Sequence, residues 1–118
     1  MFADCTNLMT APELPATILA DGCYCSMFIG CTSLTSVPST LPATTLARCC
    51  YHSMFSCCKS LTTAPKLPAI KLAESCYEDM FSGCKSLTTV PALPATKLAF
   101  NCYAGMFYDC PLLEQYGI

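Results

Sequence analysis

Apolar and polar positions follow two rhythms along the chain, one after the other. Cys23, Met27 and Cys31 recur at i, i+4 and i+8 with Tyr24 and Phe28 beside them, the spacing of one apolar helical face. The face returns as Cys50, Met54, Cys58; as Cys76, Met80, Cys84; and as Cys102, Met106, Cys110. Between these stretches, Leu34-Thr35-Ser36-Val37 and its equivalents mix Leu, Val and Thr and stop at a proline, which predicts a very short strand. Proline has no N–H to give to a ladder, so strand pairing is expected to end near Pro12, Pro38, Pro65 and Pro91. The stretch that follows, such as Leu67-Pro68-Ala69, is expected to be extended, because proline disfavours helix before it.

The alternation is strictly repeated. Met-Phe recurs at residues 1, 27, 54, 80 and 106, with spacings of 26, 27, 26 and 26. The second unit carries one extra residue, in Pro38-Ser39-Thr40-Leu41-Pro42, where the others have Pro-x-Leu-Pro. Eight of the 9 prolines and nine of the 12 cysteines fall in fixed columns, so most of this unusual composition belongs to the repeat. A strand, a proline-braced corner and a short helix cannot bury their own apolar side, whereas stacked copies form continuous columns of Leu, Val, Met, Phe and Cys. The expected fold is therefore an α/β solenoid, a curved stack of about 4.5 coils of 26–27 residues. Short parallel strands would line one face and short helices the other. It would form a single domain over residues 1–118, with coils 1–26, 27–53, 54–79 and 80–105 and a C-terminal cap at 106–118.

The run Cys31, Leu34, Val37, Leu41-Pro42, Leu46, Cys50-Tyr51, Met54-Phe55, Cys58 resembles the BspA-like (Treponema-type) leucine-rich repeat, and the likeness spans essentially the whole chain. It departs from that pattern in Met-Phe where Ala-Phe is common, in a second Cys column and in an extra proline after the strand. The resemblance implies a right-handed, curved solenoid with a parallel sheet on one face. It also implies a non-enzymatic protein that binds host or neighbouring proteins, often at a bacterial cell surface or in protists, and it offers no catalytic residues to carry over.

Composition narrows the chemistry. Charged residues make up 12% of the 118 and the net charge is −2, with a mean hydropathy of +0.46. Such a chain packs a core rather than staying disordered, and it lacks the basic excess of a nucleic-acid binder. No apolar run approaches the roughly 18 residues of a membrane span, and Met1-Phe2-Ala3-Asp4-Cys5 shows no signal peptide. Two settings stay open: the cytoplasm if Met1 is a true start, or the cell surface or secretion if the chain belongs to a longer protein. With one His, no Trp and 5 Gly, there is no paired-acid constellation or glycine-rich phosphate loop, so neither an enzyme nor a cofactor is expected.

Twelve cysteines in a small chain would ordinarily suggest a disulfide scaffold. Equivalent residues on neighbouring coils lie about 4.8 Å apart, beyond the roughly 3.5–4.5 Å between disulfide Cβ atoms. The columns Cys5, Cys31, Cys58, Cys84, Cys110 and Cys23, Cys50, Cys76, Cys102 are therefore expected to be a cysteine ladder of buried thiols that behave as small hydrophobes. Cys25, Cys49 and Cys57 fall outside those columns, and Cys25 shares a column with His52. Drift at tolerant surface positions is the expectation there, with a soft-metal or redox cluster as the alternative. No metal site is assigned.

Candidate binding residues are those that stand off the scaffold. Lys59, Lys66, Lys71, Lys85 and Lys97 are five of the 6 basic residues and fall in coils three and four, which points to an acidic protein partner. Thr35, Thr62 and Thr88 would line the sheet face. That face covers only about 250 Å² at strand dimensions, against roughly 800 Å² per partner in a standard interface, so binding would need further surface. Phe2 and Met9 mark an open first coil, a place for self-association. The function expected is a non-enzymatic protein–protein interaction module. The alternative is a small intracellular inhibitor, of a kind carried by mobile elements, that covers a larger protein.

Overall fold

The computed structural model describes residues 2–115. Among them the expected strands and helices are missing. The regular elements are one helix, α1 (Pro111–Gln115), and four isolated parallel bridges, Thr10↔Ser36, Ile18↔Thr45, Thr40↔Lys66 and Thr45↔Lys71. The α/β solenoid is thereby overturned, and with it the sheet face and the helical face. The leucine-rich-repeat description, which requires that sheet, falls with it, and the BspA-like resemblance rests on the sequence pattern alone.

The stretches expected to be helical are ribbons of consecutive four-residue turns. In residues 20–34, the N–H groups of Cys23, Cys25, Met27, Ile29 and Cys31 donate three residues back, to Ala20, Gly22, Tyr24, Ser26 and Phe28. The intervening N–H groups, of Gly22, Tyr24, Ser26, Phe28 and Gly30, donate instead to Arg48, Cys50, His52, Met54 and Ser56 of the next ribbon. Ribbons 47–61 and 73–87 repeat this alternation onto the ribbon that follows each of them. An α-helix sends every N–H four residues back. Here half of them leave the segment, so the ribbons are joined in the way strands are joined.

A left-handed residue at every fourth position makes this possible. Positive φ occurs at Gly22, Ser26 and Gly30; at Cys49, Ser53 and Cys57; at Ser75, Asp79 and Gly83; and at Asn101, Gly105 and Asp109. Each is the third residue of its turn, where a type II turn requires φ > 0, and Gly, Asn and Asp reach that region at least cost. In the central ribbons the two residues after each of the first two left-handed positions point inward, and so does the cysteine after the third, which an exposed lysine follows. Cys50, Tyr51, Met54, Phe55 and Cys58 are all buried, as are Cys76, Tyr77, Met80, Phe81 and Cys84. The period is thus 4.0 rather than 3.6, which over two turns differs too little for an apolar pattern to separate.

Beyond the prolines the chain continues to touch its neighbours at single points, contrary to the expected end of pairing. Leu41 N–H donates to Lys66, and Lys66 N–H donates to Ser39. Leu46 N–H donates to Lys71, while the N–H groups of Ile70 and Lys71 donate to Thr44. Pro38 and Pro42 on one segment and Pro65 and Pro68 on the other limit the Thr40–Lys66 contact to about one residue, and a bridge forms there instead of a strand.

Aromatic side chains register the ribbons. Phe2, Phe28, Phe55, Phe81 and Phe107 stack with centroids 5.4–5.8 Å apart and planes within 7°. Tyr24, Tyr51, Tyr77 and Tyr103 form a second column at 5.8–6.1 Å. The molecule measures 33 × 32 × 20 Å, and its short dimension matches five layers separated by about 4.8 Å each.

The cysteines also require correction. All twelve are free, but no sulfur ladder runs through the core. Cys5 and Cys23 are exposed, and the Sγ atoms of Cys31, Cys58, Cys84 and Cys110 turn to the carbonyls of Phe2, Phe28, Phe55 and Phe81 at 3.0–3.2 Å. These thiols act as weak donors to the preceding layer, not only as small hydrophobes. In the expected cap, α1 begins on Pro111, the helix position that proline suits best. The remainder of that cap, residues 116–118, lies outside the described residues, as does Met1.

Candidate functional site

The threonine stretch is bonded in pairs. Thr35 and Ser36 donate their N–H groups to Met9, and Thr88 donates its N–H to Thr62. The Thr35 and Thr88 hydroxyls donate to the same two carbonyls, at 3.4 and 3.1 Å. Thr35, Thr62 and Thr88 are exposed, but two of their hydroxyls are used in holding adjacent layers together. Among the described residues no backbone hydrogen bond joins residues 35–37 to residues 61–64. A groove of about 410 Å³ lies there, lined by Thr35, Ser36, Val37, Ser39, Thr63 and Lys66, among others.

A second groove of about 410 Å³ adjoins it, between residues 64–68 and 89–94. Its walls are Pro65, Pro68, Pro91, Pro94, Val90 and Ala92, with Lys66 again at the edge. Prolines cannot zip the two segments together by N–H donation, so the layers stay apart at their apolar side. Lys66, held by its bridge to Thr40, lines both the groove that carries the hydroxyls and the proline-walled one. No protein family matches the chain, and neither a curated protein nor a solved structure matches it.

The other lysines do not join this surface. Lys59, Lys71, Lys85 and Lys97 are exposed and line neither groove. Lys85 pairs with Asp109 at 2.5 Å, so one member of the expected cationic flank already has an acidic partner within the chain. Lys71 bridges to Thr45 at a different corner. Met9 is exposed, but Phe2 is partly buried by its stacking on Phe28, which gives it a structural task. Among the described residues no helix is long and apolar enough to cross a membrane.

On the turn side the off-column cysteines separate into two kinds. Cys49 and Cys57 occupy left-handed positions whose counterparts are Gly22, Ser75 and Asn101, and Gly30, Gly83 and Asp109. Those columns are conformationally demanding, not tolerant. Cys25 lies in the column of His52 and Glu78, and its Sγ is 3.8 Å from the Ser26 hydroxyl. Three ligating side chains do converge nearby, but none is a cysteine: they are His52, Glu78 and Asp79. The last two were not picked out from the sequence. The signal was there, since Glu78 follows His52 by one 26-residue repeat and so stacks over it. A second charged column runs Asp21, Arg48, Glu74: the Arg48 N–H donates to Asp21 at 3.2 Å and its guanidinium to Glu74 at 3.2 Å.

Proposed function

We propose that this protein is a non-enzymatic module that binds a protein partner through the paired grooves on either side of Lys66. The observation that carries this reading is the junction itself: an apolar, proline-walled groove and a hydroxyl-lined groove share one exposed cation. Concave apolar surface with a few placed polar groups is the usual form of a recognition site. The complementary ligand is an extended segment with an apolar side chain for the Val90 groove, followed by an acidic residue for Lys66.

Panning a random peptide library against the protein tests this. Enriched peptides should carry an acidic residue next to an apolar one. The Lys66→Glu variant should lose them, because a like-charge contact costs several kcal/mol, whereas Lys97→Glu should retain them. Peptides whose binding is indifferent to Lys66→Glu would contradict the reading.

A further inference from the structure

The sequence places one histidine in the whole chain, and the fold sets two carboxylates against it. His52 Nε2 lies 3.5 Å from the Glu78 carboxylate, and one ligand atom from each of His52, Glu78 and Asp79 lies within 4.8 Å of the other two. These side chains come from consecutive layers. The Ser53 N–H donates to the Glu78 carbonyl, which locks the two ribbons in register at this point.

We infer that His52, Glu78 and Asp79 form a binding site for a divalent transition-metal ion of the zinc class, with its remaining coordination position open to solvent. Three features support a site over a simple ion pair. The other imidazole nitrogen, Nδ1, is engaged at 3.1 Å by the hydroxyl of Ser53, a buried residue. That is the outer contact that orients a ligating histidine and leaves its Nε2 for the metal. Asp79 has a left-handed backbone, and a Cβ on Gly105 in the next layer would collide with its Oδ1, so the missing side chain at Gly105 makes room for that carboxylate. All three side chains are partly buried, open enough for an ion to enter and enclosed enough to weaken competition from water.

The donor set of one imidazole and two carboxylates suits zinc and its neighbours rather than a thiophilic ion. At about 2.0–2.2 Å from zinc, ligand atoms sit roughly 3.4 Å apart, so side-chain adjustments of about 1 Å would close the site. The exposed cysteines are the obvious competitors for such a metal, and Cys25, one layer before His52, is the nearest of them in the column.

The test titrates Zn²⁺ calorimetrically into protein in which Cys5, Cys23, Cys25, Cys49 and Cys57 are replaced by serine. One equivalent should bind, and His52→Ala or Asp79→Asn in the same background should weaken binding at least tenfold. Ser53→Ala should weaken it by about tenfold, as outer-contact losses do, with the metal-free melting temperature as the folding control. A second measurement uses the unmodified, reduced chain. Because His52 is the only histidine, its ring-proton NMR signals should shift with stoichiometric Co²⁺. Binding unchanged by His52→Ala, or ring signals unmoved by Co²⁺, would overturn the site.

Discussion

Buried thiols and phenols carry a pH dependence that follows from their surroundings. Burial pushes the thiols of Cys50 and Cys58 up to about 12 and that of Cys84 higher still. The phenols of Tyr51 and Tyr77 are raised by the same desolvation. The neutral forms are what the fold accepts, so this contribution is intact below the unfolded thiol value of 9.0. Above it the unfolded chain ionises first and binds fewer protons than the folded one, and stability falls as pH climbs towards 12. Each such thiol accounts for about 1.4 kcal/mol per pH unit over that window. The urea midpoint under reducing conditions should therefore be level from pH 7 to 8.5 and drop steeply by pH 10. A midpoint unchanged at pH 10 would mean that these thiols are not buried.

At the scale of the turn ribbon, the demanding positions are the left-handed ones. Gly83 has φ +75°, and a Cβ there would lie 3.2 Å from Cys57 Sγ and 3.6 Å from Cys57 Cα. Gly83→Ala should cost about 1–2 kcal/mol from backbone strain alone, measured by denaturant unfolding. Adding Cys57→Ala, which removes the Sγ but keeps an L-residue at that left-handed position, should recover only the contact and leave the strain. Full recovery would show that φ is not the constraint. These positions also explain what the sequence could and could not say about the elements. The paired apolar residues Cys50-Tyr51 and Met54-Phe55 were legible as one buried face, and that face is real. Whether it belonged to a helix or to turns rested on the residue preceding each pair. Ser26, Gly30, Ser53, Ser75, Asp79, Gly83 and Asn101 are poor helix formers, and their recurrence every fourth residue was the available signal. Cys49 and Cys57, which occupy the same kind of position without the usual preference for it, obscured that signal.

In the molecule as a whole, the 26-residue period was legible because identical side chains meet across layers, as the phenylalanine and tyrosine columns do. The strands were not, because pairing depends on backbone contacts that the prolines confine to single residues such as Thr40 and Lys66. The candidate grooves follow from that same failure to pair, and of the expected lysine flank Lys66 is the member that lines both. The layers are held instead by the alternate N–H groups of the turn ribbons, and this is the claim on which the rest depends. Backbone NMR tests it directly, through couplings across hydrogen bonds together with φ-sensitive couplings. The account predicts a coupling from the Tyr51 amide to the Cys76 carbonyl and left-handed φ at Ser53, Cys57, Ser75 and Asp79. Couplings from each amide to the carbonyl four residues back, with negative φ throughout residues 49–58, would contradict it.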